Sequence, residues 1–482
     1  MIPVVTPAEM AAIDAAAPEG TAVLVERAGA AVAVAAAEML TGRSDGAEAV
    51  GGTARPPAAL RQALRGRRVV VVAGRGNNGA DGRAAARFLQ RAGAGCDTLA
   101  PDSARIPPCD LLIDAAYGTG LNRPWAPPAG IEDAGAVLAV DIPSGVDGLT
   151  GAVSGAAFAA ARTVTFAALK PGLLLHPGRR LAGSVSVADI GLDVTSATAH
   201  LQTAADVADL WPRREVDAHK WRSACWVVAG SPPMRGAASL ASLAALRSGA
   251  GYVRLSVPGG EPDASVPTEV VFGPLPAADW HERMEVSRFG SLVVGPGLGR
   301  EPQTATAVRE LVARATVPLV LDGDALAALG GDPVAVLAAA RAPVVLTPHD
   351  GEYELLAGRR PGVDRLAAAR ALAAAGATVL LKGSTTVVAA PDGAARFVTS
   401  GDARLATAGT GDVLAGMIGA LLAQGMTSLD AAALAAQVHG MAGALGPPVG
   451  LIAGDLLGAI PAVVAAALEP PGRGIGGGPP NG

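Results

Sequence analysis

The sequence predicts an α/β protein whose parallel β-sheets are built from alternating strands and helices. Continuous β-branched runs such as RRVVVVAG at 67–74 recur along the chain and are typical of buried parallel strands. Helical patterns lie between these runs, and such alternation produces a parallel sheet with right-handed crossovers. The alternation pauses near residues 191–218 and then restarts, so we expect two such domains.

Composition excludes several other classes of protein. Half of the 482 residues are apolar and 17% are charged, so the chain can bury a sizeable core. With 38 basic and 43 acidic residues the net charge is −5, and 3% of residues are aromatic, which predicts no nucleic-acid partner. The three cysteines are widely spaced without a CxxC pair, which argues against a disulfide framework or a zinc site.

The pattern along the chain also predicts location and domain bounds. No signal-peptide pattern and no apolar run of the ~18–20 residues that span a membrane are visible, so a cytoplasmic protein without a membrane partner is predicted. In the first domain, residues 7–40 read as helix and residues 41–60 as a flexible loop. The predicted parts are a first domain (1–195), a linker (196–215), a second domain (216–468) and a disordered tail (469–482).

A glycine-rich segment, GRGNNGADG at 74–82, follows the first buried strand and opens a helix. Its glycines predict backbone N–H groups that face an anion at the N-terminus of the helix. The two asparagines and the aspartate add polar contacts that the plain GxGxxG dinucleotide fingerprint lacks. The alternative is a tight strand-to-helix turn, because Asn and Gly are ordinary turn residues.

Polar residues follow two further strands of the first domain. Asp114 ends one strand ahead of the loop Gly118–Pro124, and Asp141 and Ser144 follow the next. Because parallel strands present their carboxyl ends at one edge of the sheet, we expect these side chains to converge with Asn78. Oxygen ligands without Cys or His suit a hard cation and not zinc. For each aspartate the alternative is a helix cap or a turn residue.

Four motifs in order, GRGNNGADG, DAAYGTGLNRP, AVDIPSGVDG and TVTFAALKPGLLLHPGR, resemble the NAD(P)H-hydrate epimerases over roughly residues 1–193. The predicted fold of this domain is a Rossmann-like parallel sheet. The resemblance implies that Asp141 contacts the substrate, where we assign it as the catalytic acid or base. It also implies a potassium ion on Asn78, Asp114 and Ser144. The implied substrate-binding residues are Asn77, Asn78, Gly79, Ala80, Asp81, Gly118, Thr119, Gly120, Leu121, Asn122, Arg123 and Pro124. Ala80 departs from the usual glycine, and a positive φ there would cost about 1 kcal/mol or more.

The strongest motif of the second half is ATAGTGDVLAGMIGALLAQG at 406–425. Gly409 and Gly411 lead into an apolar helix, and together with the helix dipole they predict an anion hole for a transferring phosphoryl group. Asp412 lies in the first turn, where it could deprotonate a substrate hydroxyl. The alternative is that Asp412 only caps its helix.

Three loops at strand ends, VVGPGLGR, LTPHDGEYELLAG and VLLKGSTTVVAAPDG, resemble the ribokinase-like fold. With HKWRSACWVVAGSPPMRGAASLASLAALRSGAGYV they resemble more closely the NAD(P)H-hydrate dehydratases of that superfamily, over about residues 203–468. The resemblance implies that Ala237, Gly297, His349 and catalytic Asp412 contact the hydrate. The implied nucleotide-binding residues are Lys382, Gly383, Ser384, Thr385, Thr386, Gly409 and Gly411. The chain departs from the family at 402–405, where Asn-Pro-Gly-Met is usual, and at 223–224, where a glycine is expected.

Together these resemblances predict an enzyme that repairs nicotinamide nucleotides. The first domain would epimerise the R and S hydrates of NADH and NADPH, called NADHX and NADPHX. The second would dehydrate the S form with ADP, giving AMP and phosphate, with Mg²⁺ accompanying the nucleotide. Besides these small molecules, the expected partner is a further copy of the chain in a homo-oligomer. Three alternatives stay open: a small-molecule kinase of the ribokinase-like superfamily, a protein with one decayed domain, and a non-enzymatic dinucleotide-binding scaffold.

Overall fold

The computed structural model describes residues 1–44, 57–121 and 123–469. The chain divides into two compact units, one of residues 2–199 and one that begins at residue 200. Both are α/β units with parallel strands, so the predicted fold class is confirmed. Most of the predicted 41–60 loop, Asn122 and the tail beyond residue 469 lie outside the described residues.

A parallel sheet organises the first unit. Its elements are β1 (Ile2–Val4), α1 (Pro7–Ala16), α2 (Thr21–Thr41), α3 (Ala58–Leu64), β2 (Arg68–Ala73), α4 (Asn77–Ala92), β3 (Gly95–Leu99), β4 (Leu111–Ala115), β5 (Val137–Val140), β6 (Arg162–Phe166), α5 (Pro171–Leu174), α6 (Gly178–Leu181) and β7 (Ser184–Ala188). The strands pair parallel in the order β3-β2-β4-β5-β6-β7. Strand order reverses between β2 and β4, and doubly wound sheets bind ligands outside the carboxyl ends of the strands at such a point.

Burial on both faces explains the continuous β-branched run of β2. Val69 and Val71 lie in the core formed with α2 and α4. Val70 and Val72 lie in a second core, with Phe158, on the opposite face of the sheet. Successive strand residues point to opposite faces, so a strand covered on both sides is apolar throughout.

The helix predicted over residues 7–40 is interrupted. It consists of α1 and α2, which are separated by residues 17–20. Pro18 keeps the backbone of Ala17 extended (φ −61°, ψ 132°), which ends α1. Gly20 then serves as the N-cap of α2.

The second unit is a larger sheet flanked by helices. Its elements are β8 (Ala199–Gln202), α7 (Ala205–Leu210), β9 (Ala224–Val228), α8 (Arg235–Arg247), β10 (Tyr252–Ser256), β11 (Val271–Phe272), β12 (Ser291–Val294), α9 (Pro302–Arg314), β13 (Leu319–Leu321), α10 (Asp324–Leu329), α11 (Pro333–Ala338), β14 (Val344–Leu346), α12 (Asp350–Ala357), α13 (Arg365–Ala373), β15 (Thr378–Leu381), β16 (Thr386–Ala389), β17 (Ala395–Val398), α14 (Thr410–Ala423), α15 (Ser428–Leu445) and α16 (Ala453–Leu468). Strands β11-β10-β9-β12-β13-β14-β15 run parallel in that order, and β16, β17 and β8 continue the sheet beyond β15. The two pairings from β15 to β17 are antiparallel.

Helix α14 packs closely on α8. A Cβ on Gly416 would lie 2.1 Å from the Ala241 carbonyl oxygen, so the two backbones touch at this point. The N-terminus of α14 lies near residues that follow β13 and β15, because a Cβ on Gly411 would be 3.4 Å from Lys382 Nζ and 4.0 Å from Asp322 Oδ2. The carboxyl edge of this sheet therefore meets the predicted anion loop.

The segment 196–215, predicted as a linker, contains regular structure. It includes β8 and α7, and Val207 and Trp211 are buried in the core of the second unit. The strand is four residues long and carries His200 and Gln202, so its sequence lacks the apolar run that marks the central strands. Of the helices that the structure describes, none combines the length and the hydropathy needed to cross a bilayer.

Gly79→Ala is expected to destabilise the first unit by about 1–3 kcal/mol through overpacking. A Cβ on residue 79 would lie 1.9 Å from the Gly74 carbonyl oxygen, whereas one on Gly76 would meet nothing within 4 Å. Gly76→Ala is therefore the matched control, with an expected loss of less than about 1 kcal/mol at the N-cap. Thermal unfolding of the full chain measures both, and equal Tm values for the two variants would contradict the close approach.

Candidate functional sites

A cavity of about 960 Å³ lies at the carboxyl ends of β2 and β4 in the first unit. One wall is the segment from Gly74 to Asp81, another is the loop after β4, and α1 and α2 supply residues on the remaining sides. The predicted substrate-binding residues that line it are Asn77, Asn78, Gly79, Asp81, Gly118, Thr119, Gly120, Leu121 and Arg123. Ala80 and Pro124 are not among the described residues that line it, and Asn122 lies outside the described residues.

Close packing explains the glycines of the GRGNNGADG segment. A Cβ on Gly74 would lie 2.1 Å from the Ala116 carbonyl oxygen, and one on Gly82 would lie 2.4 Å from the Ala115 Cβ. No residue of this segment has a positive φ, so Ala80 sits in α4 without backbone strain. The N-terminus of α4 has no side-chain cap, which leaves its first N–H groups for an anion.

Asp114 and Ser144, two of the predicted cation ligands, contact each other directly. The Ser144 N–H donates to Asp114 Oδ2 at 2.7 Å, and its hydroxyl donates to Oδ1 at 2.5 Å. The Tyr117 N–H donates to the Ser144 hydroxyl at 2.8 Å, which ties the loop after β4 to the loop after β5. Burial raises the pKa of the Asp114 carboxyl to about 7, against the lowering effect of the hydrogen bonds from Ser144.

Asn78, the third predicted ligand, has a buried side-chain amide that no described residue hydrogen-bonds. Both the oxygen and the nitrogen of the amide are buried, and neither has a hydrogen-bond partner among the described residues. Asn78 lies across Gly118 from Asp141, because a Cβ on Gly118 would be 3.5 Å from Asn78 and 3.5 Å from Asp141 Oδ2. An unsatisfied buried amide is costly, so this position is suited to a ligand or an ion.

Lys170, which none of the sequence motifs indicates as a site residue, pairs with Asp141. The Lys170 side chain is 1% exposed, and its Nζ donates to Asp141 Oδ1 at 2.7 Å, to Thr165 Oγ1 at 2.9 Å and to the Phe166 carbonyl at 3.1 Å. The Thr165 hydroxyl also donates to Asp141 Oδ1 at 3.0 Å. Asp141 itself adopts a left-handed backbone with φ of 65°. One carboxylate oxygen of Asp141 is therefore held in place, and Oδ2 faces Gly118.

Lysine usage is a sequence signal that could have identified this residue. Only three of the 38 basic residues are lysines, namely Lys170, Lys220 and Lys382. A compact ammonium fits a tight buried pocket that a planar guanidinium does not. In a chain that otherwise uses arginine, two of the three lysines lie in the two candidate sites.

The anion loop of the second unit is held from two sides. Gly409 is the N-cap of α14 and has a φ of 91°, which glycine adopts without strain. The Thr410 hydroxyl lies 2.8 Å from the Leu405 carbonyl and 2.9 Å from the Thr407 carbonyl. From the opposite side, His439 Nε2 lies 2.9 Å from the Thr410 carbonyl. Burial lowers the pKa of His439 to about 4, so the ring is neutral and donates to this carbonyl.

Asp412 lies in the first turn of α14 and does not cap it, because the helix has no side-chain cap. Burial, with the added effect of the Asp322 carboxylate and against the effect of the Lys382 ammonium, raises the pKa of its carboxyl to about 6. A group with this pKa changes protonation near neutral pH, as a general base requires.

Lys382 is held by Asp322, a residue that no sequence motif indicates. Lys382 Nζ donates to Asp322 Oδ1 at 2.7 Å, and the Thr347 hydroxyl donates to the same oxygen at 2.6 Å. Burial lowers the pKa of Lys382, but the carboxylates of Asp322 and Glu352 outweigh it and raise the pKa overall. Glu352 has its pKa raised by burial, and its carboxylate accepts the His349 N–H at 2.9 Å. The other predicted nucleotide-binding residues, Gly383 to Thr386, lead from β15 into β16.

The three predicted hydrate-binding residues differ in what holds them. Ala237 and Gly297 are neighbours, because a Cβ on Gly297 would lie 3.0 Å from the Ala237 Cβ. His349 is the N-cap of α12, with Nδ1 accepting the Gly351 N–H at 3.0 Å. The other ring nitrogen, Nε2, lies 3.6 Å from the Glu352 carboxylate. At the departure 402–405, Asp402 caps a short turn in which its carboxylate pairs with Arg404.

Comparison with known proteins decides the family. Residues 225–448 match the family model described as NAD(P)H-hydrate dehydratase, and residues 21–105 and 95–172 match the model described as YjeF-related protein N-terminus. A bifunctional NAD(P)H-hydrate repair enzyme of Mycobacterium leprae is 39% identical over 410 residues, covering 79% of this chain and 84% of that protein. Its counterpart in Mycobacterium tuberculosis is 41% identical over 399 residues, covering 76% of this chain and 81% of that protein. The chain belongs to the bifunctional NAD(P)H-hydrate repair enzymes.

In this member of the bifunctional NAD(P)H-hydrate repair enzymes, the residues that match the dehydratase model follow those that match the YjeF-related model along the chain. Both resemblances drawn from its motifs are thereby confirmed, and the kinase and scaffold alternatives are not favoured. A solved ADP/ATP-dependent NAD(P)H-hydrate dehydratase from Bacillus subtilis, co-crystallised with ATP and Mg²⁺, is 28% identical. It covers 55% of this chain and 98% of its own chain, with a TM-score of 0.48.

Proposed function

We propose that the protein repairs hydrated NADH and NADPH at two active sites. The first unit would interconvert the R and S hydrates, and the second would return the S hydrate to NADH or NADPH with ADP, releasing AMP and phosphate. The observation that carries the proposal is the cavity of about 960 Å³ into which the α4 N-terminus, Asn78 and the Asp141–Lys170 pair converge. This volume lies at the upper end of the ~300–1,000 Å³ of small-molecule pockets, as a dinucleotide requires.

In the first unit Asp141 would act as the acid or base at the hydrated carbon. Lys170 and Thr165 hold its Oδ1, so the side chain keeps one orientation while Oδ2 stays open to the substrate. The N–H groups at the start of α4 would bind a phosphate of the dinucleotide. Positioning of this kind removes much of the entropy barrier to a proton transfer.

A potassium ion in the first unit is part of the proposal. The residues that would hold it are Asn78, Asp114 and Ser144, and they supply only oxygen ligands, which a hard cation prefers. The buried Asn78 amide without a protein partner supports a ligand at this position. A bound cation would supply positive charge beside the buried Asp114 carboxylate and link the loops that carry the three residues.

In the second unit Asp412 would take the proton of the substrate hydroxyl. The hydroxyl oxygen would then attack the β-phosphorus of ADP, and AMP would leave. The carbon that carries the phosphorylated oxygen then loses phosphate, a far better leaving group than hydroxide, the neighbouring carbon gives a proton to solvent, and the ring double bond is restored. Gly409–Gly411 and Lys382 would stabilise the charge on the transferred phosphoryl group. Mg²⁺ would accompany the nucleotide phosphates, for which the carboxylates of Asp322 and Glu352 are suitable oxygen donors.

The dehydration rate is expected to fall at acid pH because Asp412 must be ionised to accept a proton. With a pKa raised to about 6, the carboxylate fraction falls roughly tenfold for each pH unit below that value. The check is the initial rate of NADH formation from the S hydrate and ADP between pH 5 and 8, in buffers of constant ionic strength. A rate that is flat across this range would contradict the proposed base.

A coupled absorbance assay tests the whole proposal. The purified chain receives a mixture of R and S hydrates with ADP, or with ATP in parallel, and the return of NADH absorbance is followed. Full recovery is expected. Recovery of only the S fraction would remove the epimerase, and no recovery with either nucleotide would remove the dehydratase. Self-assembly and a cytoplasmic location stay predictions from the sequence.

A further inference from the structure

Four carboxyl groups share the cavity of the first unit with one ammonium group and two guanidinium groups. The carboxyl groups belong to Asp14, Asp81, Asp102 and Asp141, and the cations to Lys170, Arg75 and Arg123. The ammonium bonds to Asp141 and to neutral oxygens, at distances of 2.7 to 3.1 Å. Among the described residues, Asp14 and Asp81 form no ion pair with a cation, and the carboxylates would repel each other in this space.

Asp81 is the buried member of the two. Asp81 is 7% exposed, whereas Asp14 lies at an exposed position on α1. Among the described residues, none donates a hydrogen bond to the Asp81 carboxyl. Burial, with the added effect of the Asp141 and Asp14 charges and against the effect of Arg83, raises the pKa of Asp81 to about 8. The Arg83 guanidinium donates to the Gly74 carbonyl at 2.7 Å, so its hydrogen bond goes elsewhere.

We propose that Asp81 is a second catalytic residue of the first unit, the general acid that protonates the departing hydroxyl, while Asp141 serves as the base. This role rests on the proposed function. The C–O bond breaks with its electron pair on oxygen, the Asp81 proton converts that oxygen to water, and the ring nitrogen lone pair closes a C=N⁺ bond. A water molecule then adds to the opposite face and gives its proton to the Asp141 carboxylate. Proton exchange with solvent restores both carboxyl groups.

The neighbours of Asp141 and Asp81 determine which of the two carboxyl groups acts as the base and which as the acid. The Asp141 carboxylate forms an ion pair with the Lys170 ammonium and is the group suited to accept a proton. Asp81 faces no ammonium and retains a proton, as an acid must. Two groups with opposite protonation states in one cavity are the arrangement expected for acid–base catalysis at a single carbon.

The test is Asp81→Asn, which keeps size and polarity but removes the transferable proton. The conversion of pure R hydrate to S hydrate, measured by chromatography and corrected for the uncatalysed rate, is expected to fall about 10²–10⁴-fold. Asp133→Asn, in the surface ion pair with Arg105 and outside the residues that line the cavity, is the matched control, with an expected change of less than about twofold. Dehydration of the S hydrate by the second unit of each variant reports that the chain is intact.

A pH profile separates catalysis from a structural role. The wild-type epimerisation rate is expected to decline above about pH 8, where Asp81 loses its proton. Asp81→Glu should retain a declining alkaline limb at reduced rate. A wild-type rate that stays constant to pH 10 would overturn the proposal even if Asp81→Asn failed to fold, and so would an Asp81→Asn variant with the wild-type rate. A wild-type chain without any epimerisation would instead reject the proposed function.

Discussion

Asp412→Asn is expected to abolish NADH recovery from the S hydrate, with a fall in kcat of about 10²–10⁴-fold. Asparagine matches aspartate in size, but its amide cannot accept the hydroxyl proton. The measurement is the initial rate of NADH formation from S hydrate at saturating ADP. Epimerisation by the same variant should stay at the wild-type rate, since Asp412 belongs to the second unit.

The matched control for Asp412 is another aspartate near a helix N-terminus in the same unit. Asp332 is the exposed N-cap of α11, where its side chain accepts the Ala335 N–H at 3.1 Å. Asparagine caps helices as well as aspartate does, so Asp332→Asn should change the rate by less than about twofold. If Asp412→Asn kept a tenth or more of the wild-type rate, the assignment of Asp412 as base would be wrong.

Asp141→Asn is expected to leave only the S fraction of a mixed hydrate convertible, with R-to-S conversion reduced about 10²–10⁴-fold. The amide cannot take up the proton, and it removes the negative charge that pairs with the buried Lys170. The measurement is the plateau of NADH recovery from a mixture of known R and S content, read before uncatalysed epimerisation contributes.

Lys170→Met is the companion variant, because it removes the ammonium and leaves Asp141 in place. We expect a loss of epimerisation in the same direction, since Oδ1 of Asp141 would keep only the bond from Thr165. Asp133→Asn, in the surface ion pair with Arg105, is the control and should recover the full mixture. Complete recovery of both epimers by Asp141→Asn would rule out its catalytic role.

Local sequence patterns predict the central strands and the loops that follow them. Strands β2, β4, β5 and β6 coincide with apolar runs, because burial on both faces leaves a continuous β-branched signature. The peripheral strands β3, β7 and β8 lack such a continuous β-branched run. The sequence SVSVA of β7 is only partly buried, and GCDTL of β3 is mostly exposed, so neither carries a run of apolar residues.

Some residues of the candidate sites can likewise be predicted from the local sequence, whereas others depend on partners far away along the chain. Asp114, Asp141 and Asp412 can be predicted because each follows a strand or opens a helix beside glycines. The rarity of lysine could have drawn attention to Lys170, but its role and that of Asp322 depend on partners 29 and 60 positions away, namely Asp141 and Lys382. The protonation of Asp81 likewise depends on which charges the fold collects around it.

The close backbone packing of the glycine segment at the start of α4 affects the rate at which a ligand binds in the cavity. The backbones of Gly74, Gly79 and Ala116 approach so closely that no methyl group fits between them. The N–H groups that face the cavity are thus held in position before any ligand arrives, and association requires no ordering of this wall. We therefore expect a single-step association whose rate rises linearly with ligand concentration, without the saturation that a slow closure of this wall would impose. A dilute damaged cofactor can then be captured as fast as it encounters the cavity.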